Sequence, residues 1–356
     1  ASTPRERLER IYHYVAQEIR YQQDYETTIA GVRPHSCPVV LERGYGDCKD
    51  KAVLMILLGR EVGLDLRFAV LRTTNAGRVL REVPNQQFNH AIVYVPAQEG
   101  IEAGFFMDPT TDGLDMGNLR DDDQGALALV LDPRDGGWEF TPIPYQGPEM
   151  SYLPCAVDVR VASAEEATAQ ARCSVRGAAG SMMRRLARNE ERARQLHQNV
   201  ANTIFNGATV RGASMRNTDD IWRPVELELE LDASAALQPQ GGHHRLPVPS
   251  SFGLGGLTRL ESRRTPLRLG VPDSSRWEVT YELPARGRIV RTPEDFEIEH
   301  RCFSVSRRTV TRGRRATVTV EYRRTCPEIA PEEYAEVRRL AQRAVNQLQS
   351  EIVLDL

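Results

Sequence analysis

Lysine is nearly missing from this 356-residue chain: of 46 Lys+Arg side chains, positions 49 and 51 alone carry an ammonium. Long apolar runs are missing too, and none approaches the roughly 20 residues that a membrane-spanning helix needs. The sequence has no glycine-rich phosphate loop, no zinc-ligand spacing and no internal repeat. Those absences set aside nucleotide sites, structural zinc and solenoid folds, and no cofactor or metal is expected. A formal net charge of −3 and a pI near 6.2 give no reason to expect a nucleic-acid partner. Arginine-dense stretches, Arg307-Arg308 and Arg312 to Arg315, read as solvated strand or turn faces. What remains is ordinary for a globular protein, 40% hydrophobic and 27% charged, and too long for one core.

Both lysines flank one cysteine. Gly44-Tyr45-Gly46-Asp47-Cys48-Lys49-Asp50-Lys51-Ala52 runs into Val53 to Leu58 with no Gly or Pro until Gly59. Asp47 is a good N-cap, so Cys48 falls at the first position of a buried helix, and Gly63 falls where a left-handed C-terminal cap belongs. A thiol at that position faces unbonded backbone N–H groups and the positive end of the helix dipole, which favour thiolate. A compact ammonium at Lys49 or Lys51 adds to that field in a way a planar guanidinium does not. A buried cysteine is more commonly an inert small hydrophobe, so partners decide the matter.

Partners follow downstream. Phe88 to Val95 reads as a strand ended by Pro96, and Gly104 to Asp108 as the next, broken by Pro109. A hairpin centred near residue 99 sets position 90 opposite position 108, where side chains share a face about 5 Å apart. Asp108 then reaches the His90 ring, can orient it and can stabilise its imidazolium. Nucleophile, base and orienting carboxylate are thereby all supplied.

Gly46-Asp47-Cys48-Lys49-Asp50, Asn89-His90 and Asp108-Pro109-Thr110, in this order and spacing, resemble the transglutaminase-like superfamily of papain-type cysteine enzymes. Arg33-Pro34-His35 and Phe88-Asn89-His90 resemble its bacterial branch, in which the core lies between two β-rich domains. The resemblance spans roughly residues 5–135. It implies Cys48 as nucleophile, His90 as general base and acid, and Asp108 as the orienting carboxylate. Tyr45, Asp47, Lys49 and Asn89 are the substrate-binding or supporting residues. It also implies that another β-rich domain precedes the core. The chain begins Ala-Ser-Thr-Pro without Met or signal peptide, and it is expected to be a processed or excised piece of something longer.

Six cysteines occur. Cys155 and Cys173 are equidistant from a turn near residue 164, and Cys302 and Cys326 from residue 314, so two cross-strand disulfides are expected. They place the protein in the periplasm or outside the cell. Cys37 is left without a role.

The expected fold class is α+β, a papain-like core followed by a mainly antiparallel β domain. Thr3-Pro4-Arg5-Glu6 starts a helix with Leu8, Ile11, Tyr12, Val15 and Ile19 on its apolar face. Tyr21 to Glu42, with Gly31 and Pro34, reads as a loop forming one wall of a cleft, and His35 as exposed on it. Asp112, Asp115 and Asp121-Asp122-Asp123 lack EF-hand spacing and read as a solvated acidic loop rather than a calcium site. The catalytic core is set at 1–135 and a linker at 136–150, marked by Pro133, Gly136-Gly137, Pro142, Pro144 and Gly147-Pro148. The β-rich domain is set at 151–356, with strands at 155–161, 168–175, 225–231, 276–283, 296–310 and 316–324. One helix is expected near 181–205 and another near 331–353, and Gly241-Gly242-His243-His244 reads as a surface loop.

The chemistry implied is acyl transfer from an amide through a Cys48 thioester, with peptide or isopeptide hydrolysis favoured. The substrate is a peptide or protein, with cell-wall peptide among the choices. Cross-linking to an amine, arylamine acetyl transfer and a non-catalytic binding scaffold are the alternatives.

Overall fold

The structure, a computed structural model, describes residues 3–23, 33–83, 85–132, 134–250 and 253–356. Gly31 of the expected wall loop and Pro133 of the expected linker lie outside the described residues. The chain divides into two compact units, Ala1–Gln146 and Gly147–Leu356. Among the described residues, no helix is long and apolar enough to cross a membrane.

The first unit opens with α1 (Pro4–His13), whose Thr3 cap and Glu6 form a reciprocal capping box, and continues as a π-helical turn, Tyr14–Glu18. The chain then makes β1 (Arg20–Tyr21) and α2 (Cys37–Arg43). A loop was the expectation over α2. Its residues are helical because Ser36 precedes Pro38 in the first turn, where a missing N–H costs nothing, and Gly44 closes the helix at φ 68°. Next come β2 (Tyr45–Gly46), which pairs in parallel with β1, and α3 (Cys48–Glu61).

The sheet of this unit comprises β3 (Arg67–Leu71), β4 (His90–Val95), β5 (Phe105–Met107), β6 (Leu127–Leu131) and β7 (Trp138–Pro142). Its spatial order is β5-β4-β3-β6-β7, antiparallel throughout. Helix α3 packs on β4 and β3, and the sheet has a core cluster that includes Leu71, Ile92, Phe106 and Val130. Strand β7 corrects the expected linker: Trp138 and Phe140 stack edge to face at 5.9 Å, and Pro142 ends an edge strand, where its lost donor is tolerated.

Because β3 is antiparallel to both neighbours, β4 and β6 run the same way. Leu71, the last residue of β3, pairs with His90 on one side and Ala128 on the other. The chain segments leading into β4 and β6 therefore arrive at one end of the sheet.

The second unit is built on an eight-stranded sheet. Its strands include β8 (Tyr152–Val161), β9 (Ala167–Val175), β10 (Thr209–Arg216) and β11 (Val225–Asp232), with two helices between β9 and β10. Those helices, α4 (Gly177–Ala187) and α5 (Glu190–Ile204), replace the single helix expected over 181–205. Asn189 accepts a hydrogen bond from the Arg192 backbone N–H and starts a new helix there. A small sheet adds β12 (Gln238–Gln240) and β13 (His243–Pro247), so the His243-His244 segment is a strand and not a loop. His243 Nδ1 contacts Asp355.

After β14 (Leu267–Arg268), the large sheet is completed by β15 (Asp273–Glu282) and, beyond β16 (Arg288–Arg291), by three further strands. These are β17 (Phe296–His300), β18 (Phe303–Arg312) and β19 (Arg315–Arg324). Neighbours are antiparallel except β15 and β8, which are parallel. The run expected as one strand over 296–310 is thus a hairpin. Arg307 is buried, not solvated: its guanidinium donates to the carbonyls of Glu294 and Gln347 and lies 4.9 Å from the Phe296 ring. After β20 (Glu328–Ile329), helix α6 (Tyr334–Leu348) buries Tyr334, Val337, Leu340 and Ala344 but stops short of the expected end. Ile352 belongs to β21 (Glu351–Asp355), which pairs with β13 and β16.

Cys155 pairs directly with Cys173 across β8 and β9 in the expected register, and the two are disulfide-bonded. Cys302 and Cys326 are joined as well, although β18 and β19 are offset from a centre at 314, so both cysteines lie just beyond the ladder. Cys37 and Cys48 are free.

Candidate functional site

Helix α3 is fixed at its first turn by carboxylates. Asp47 accepts from the backbone N–H groups of Lys49 (3.1 Å) and Asp50 (3.2 Å), and Asp50 accepts in return from Asp47 N–H at 3.2 Å. Asp50 also receives the His35 backbone N–H at 2.8 Å and meets His35 Nδ1 at 3.0 Å. His35 is therefore tethered to the helix start instead of standing exposed. Gly46 has no room for a side chain, since a Cβ there would sit 2.7 Å from Asp50 Cβ. The frame leaves Cys48 at the first helical position, half-buried.

The two lysines do different work. Lys49 pairs with Asp47. Lys51 is 1% exposed and donates to the carbonyls of Ile19 (2.6 Å) and Ala16 (3.4 Å), anchoring the π-helical turn to α3. Burial pushes its ammonium down to about 8, against the opposing charges of Asp108 and Asp112.

His90 begins β4, and its Nε2 lies 3.1 Å from Asp108 Oδ2. The Cys48 side chain is among the groups close enough to help hold the proton on the His90 ring. Asp108 is fully buried, and its other oxygen accepts from Thr110 N–H (2.8 Å) and Oγ1 (2.6 Å). Tyr12 Oη donates to the Asp108 carbonyl at 3.2 Å and to that of Leu114 at 3.0 Å, which pins the segment after β5 to α1. The hairpin of β4 and β5 is centred at 100, one residue beyond expectation, with Val93 opposite Met107. That error moves the partner of position 90 by two, and period-two alternation keeps Asp108 on the same face.

Burial by itself would lower His90 and raise Asp108. For His90, the charge and hydrogen bond of Asp108, then Cys48 and Asp123, outweigh burial and hold the imidazole well above its usual value. For Asp108, the His90 charge and the hydrogen bonds from His90 and Thr110 hold the carboxyl well below the usual carboxylate range. The pair is an ion pair shielded from water.

The structure thus brings Cys48, His90 and Asp108 together. Asp47 and Lys49 frame the helix start. Tyr45 lies beneath the guanidinium groups of Arg20 and Arg43, at 5.6 and 5.9 Å from its ring centre. Asn89 braces the strand ends: its Oδ1 accepts from Thr73 N–H and its Nδ2 donates to Thr73 Oγ1, both at 2.9 Å.

The structure adds Asp123, Arg120 and Tyr21 to the surroundings of these residues. The Tyr21 backbone pairs with Gly46, and burial followed by the Cys48 charge pushes its phenol up to about 12. Asp123 corrects the solvated-loop expectation. It is fully buried, with Oδ1 3.8 Å from His90 Nε2. Arg120 Nε lies 4.0 Å from Asp108 while its guanidinium is bonded to Asp122 at 2.9 and 2.8 Å. The sequence carries one usable signal for Asp123, its place just ahead of β6, which shares a sheet end with His90. Among the described residues, His90, Asp108 and Asp123 present ligand-type atoms within 4.8 Å of one another.

Residues 1–101 match the family described as the transglutaminase-like superfamily, so the first unit carries a transglutaminase-like core. Residues 250–354 match a domain of unknown function with solved structure, DUF3858. No curated protein matches the chain. Its fold is similar to the crystal structure of a "putative protease" from Parabacteroides distasonis, with a TM-score of 0.54 and 11% identity over 100% of this chain. The chain spans about half of that protein, 53% of its length. Legionella pneumophila LapG (EGTA-treated) is matched at a TM-score of 0.23 and 18% identity, over 30% of this chain and 52% of that one. A score that low carries no weight here.

Proposed function

We propose that the first unit is a cysteine peptidase of the transglutaminase-like type, cleaving a peptide or isopeptide bond through a Cys48 thioester. One observation carries the reading. A half-buried cysteine at a helix N-terminus sits beside a histidine that is itself held on a buried carboxylate 3.1 Å away. The Parabacteroides neighbour, a "putative protease", favours hydrolysis over amine transfer.

In this mechanism Cys48 sulfur attacks the amide carbonyl and forms a C–S bond. The carbonyl oxygen takes up negative charge and is met by the Cys48 backbone N–H, one donor of an oxyanion hole. The His90 imidazolium gives its proton to the departing amine as the C–N bond breaks. Neutral His90 then takes a proton from water, whose oxygen displaces sulfur and releases the acid. Asp108 keeps the ring oriented and stays ionised throughout. Two disulfides support a working place in an oxidising compartment, periplasm or exterior. The substrate is a peptide or protein, cell-wall peptide included.

Iodoacetamide labelling across pH with peptide mapping, wild type against His90→Ala, tests the reading. Labelling of Cys48 at pH 6–7 that depends on His90 is the expected result. Labelling that rises only above about pH 8, the behaviour of an ordinary thiol, or that maps to Cys37, would sink it. Product analysis with and without an added primary amine then separates hydrolysis from cross-linking.

A further inference from the structure

Asp123 is a buried carboxyl without an ordinary reason to be there. Neither of its oxygens accepts a hydrogen bond from any protein donor among the described residues, and a second buried carboxyl, Asp108, has an oxygen within 4.8 Å. A buried polar group left unbonded costs about 1–3 kcal/mol, and an ionised one more. Two carboxyl groups in contact, away from water, do not both ionise.

The charges around it point the same way. His90 faces Asp123 from β4 at 3.8 Å, but its Nε2 is already engaged by Asp108. Arg120, on the same loop, is doubly bonded to Asp122. Cationic His90 and Arg120 are therefore matched by Asp108 and Asp122 before Cys48 or Asp123 is counted. A second ionised carboxylate beside Asp108 would leave the pocket with an excess negative charge.

Resting on the peptidase reading of this site, we propose that Asp123 is a positioning residue that acts as a neutral carboxylic acid. Its O–H donates to Asp108 and so fixes the Asp108 oxygen that His90 faces. Burial and the Asp108 charge both hold that proton on Asp123, with His90 and Arg120 opposing. When the proton leaves at high pH, two carboxylates confront one imidazole, Asp108 loses its fixed position, and His90 is drawn off the geometry that serves Cys48. The same cluster has the donor types of a divalent-cation site, and the experiment below includes that outcome.

The test follows the His90 ring by NMR across pH in the wild type, Asp123→Asn and Asp123→Ala, with Cys48 alkylation rates in parallel. Asparagine keeps a donor and cannot ionise, whereas alanine has no donor. We expect the wild-type His90 titration to show two steps and that of Asp123→Asn one. Alkylation should fall about tenfold in Asp123→Ala and recover most of that loss in Asp123→Asn, with the alkaline decline of the wild type absent. A wild-type titration overlaid by both variants would overturn the proposal. So would wild-type alkylation that Zn²⁺ quenches and EDTA restores while Asp123→Asn ignores Zn²⁺, because Asp123 would then be a metal ligand. Should Cys48 prove unreactive in every form, the peptidase reading falls, and the NMR titration still decides Asp123 by itself.

Discussion

The Lys51 ammonium donates to the Ile19 carbonyl at 2.6 Å, joining residues 32 positions apart in a place water does not reach. Its folded value near 8 lies below the unfolded lysine value of about 10.4, so the unfolded chain binds more protons between them. Stability therefore rises with pH across that window. Measured by urea unfolding, the wild type should gain up to about 3 kcal/mol relative to Lys51→Met between about pH 8 and 10.

The buried His90–Asp108 pair gives a two-sided signature. The contribution of Asp108, whose carboxyl is depressed, is present above the unfolded carboxylate value and lost as pH falls through the folded one. The contribution of His90, whose imidazole is raised, is present below about 6.5 and lost as pH rises through its folded value. Asp108→Asn should accordingly cost most between about pH 4 and 6.5, on the order of 3 kcal/mol, and less at higher pH. Unfolding curves at pH 5.5 and 9 check it.

Gly46→Ala would set a methyl 2.7 Å from Asp50 Cβ, in the turn that aims Cys48. The expected outcome is a loss of about 1–3 kcal/mol in stability and a slower, less selective alkylation of Cys48. Gly44→Ala, at φ 68°, should cost about 1 kcal/mol without altering alkylation selectivity.

Non-reducing peptide maps should return Cys155–Cys173 and Cys302–Cys326 as linked pairs, with Cys37 and Cys48 as the thiols. Replacing Cys155 and Cys173 together by serine opens an 18-residue separation, and about 3 kcal/mol of stability should go with it.

Local rules made much of this chain legible. The Thr3 and Asp47 caps, the α3 start and the Cys155–Cys173 register follow from side chains within a few positions or from a turn of known centre. Errors gathered where one long pattern hides a change of element. Arginine-rich 181–205 keeps helical spacing through Arg188, and only the Asn189 cap marks the break. The apolar spacing of α6 runs on into Ile352, which β13 and β16 capture as a strand. Asp123 escaped because three consecutive aspartates look solvated; its burial is decided by which strand ends share an edge, a fact carried by topology and not by its neighbours in the chain.

That shared edge also separates two kinds of change. The Leu71 row, with His90 on one side and Ala128 on the other, holds His90 by strand pairing. The connection from β3 to β4 leaves from and returns to that row, and it carries exposed Leu80 and Val83 on its way. Its exposed middle can vary without moving a rung of the sheet, whereas Thr73 and Asn89 at its two ends brace the strands. Changes in the middle of that connection are thus separable from changes to the row that carries His90.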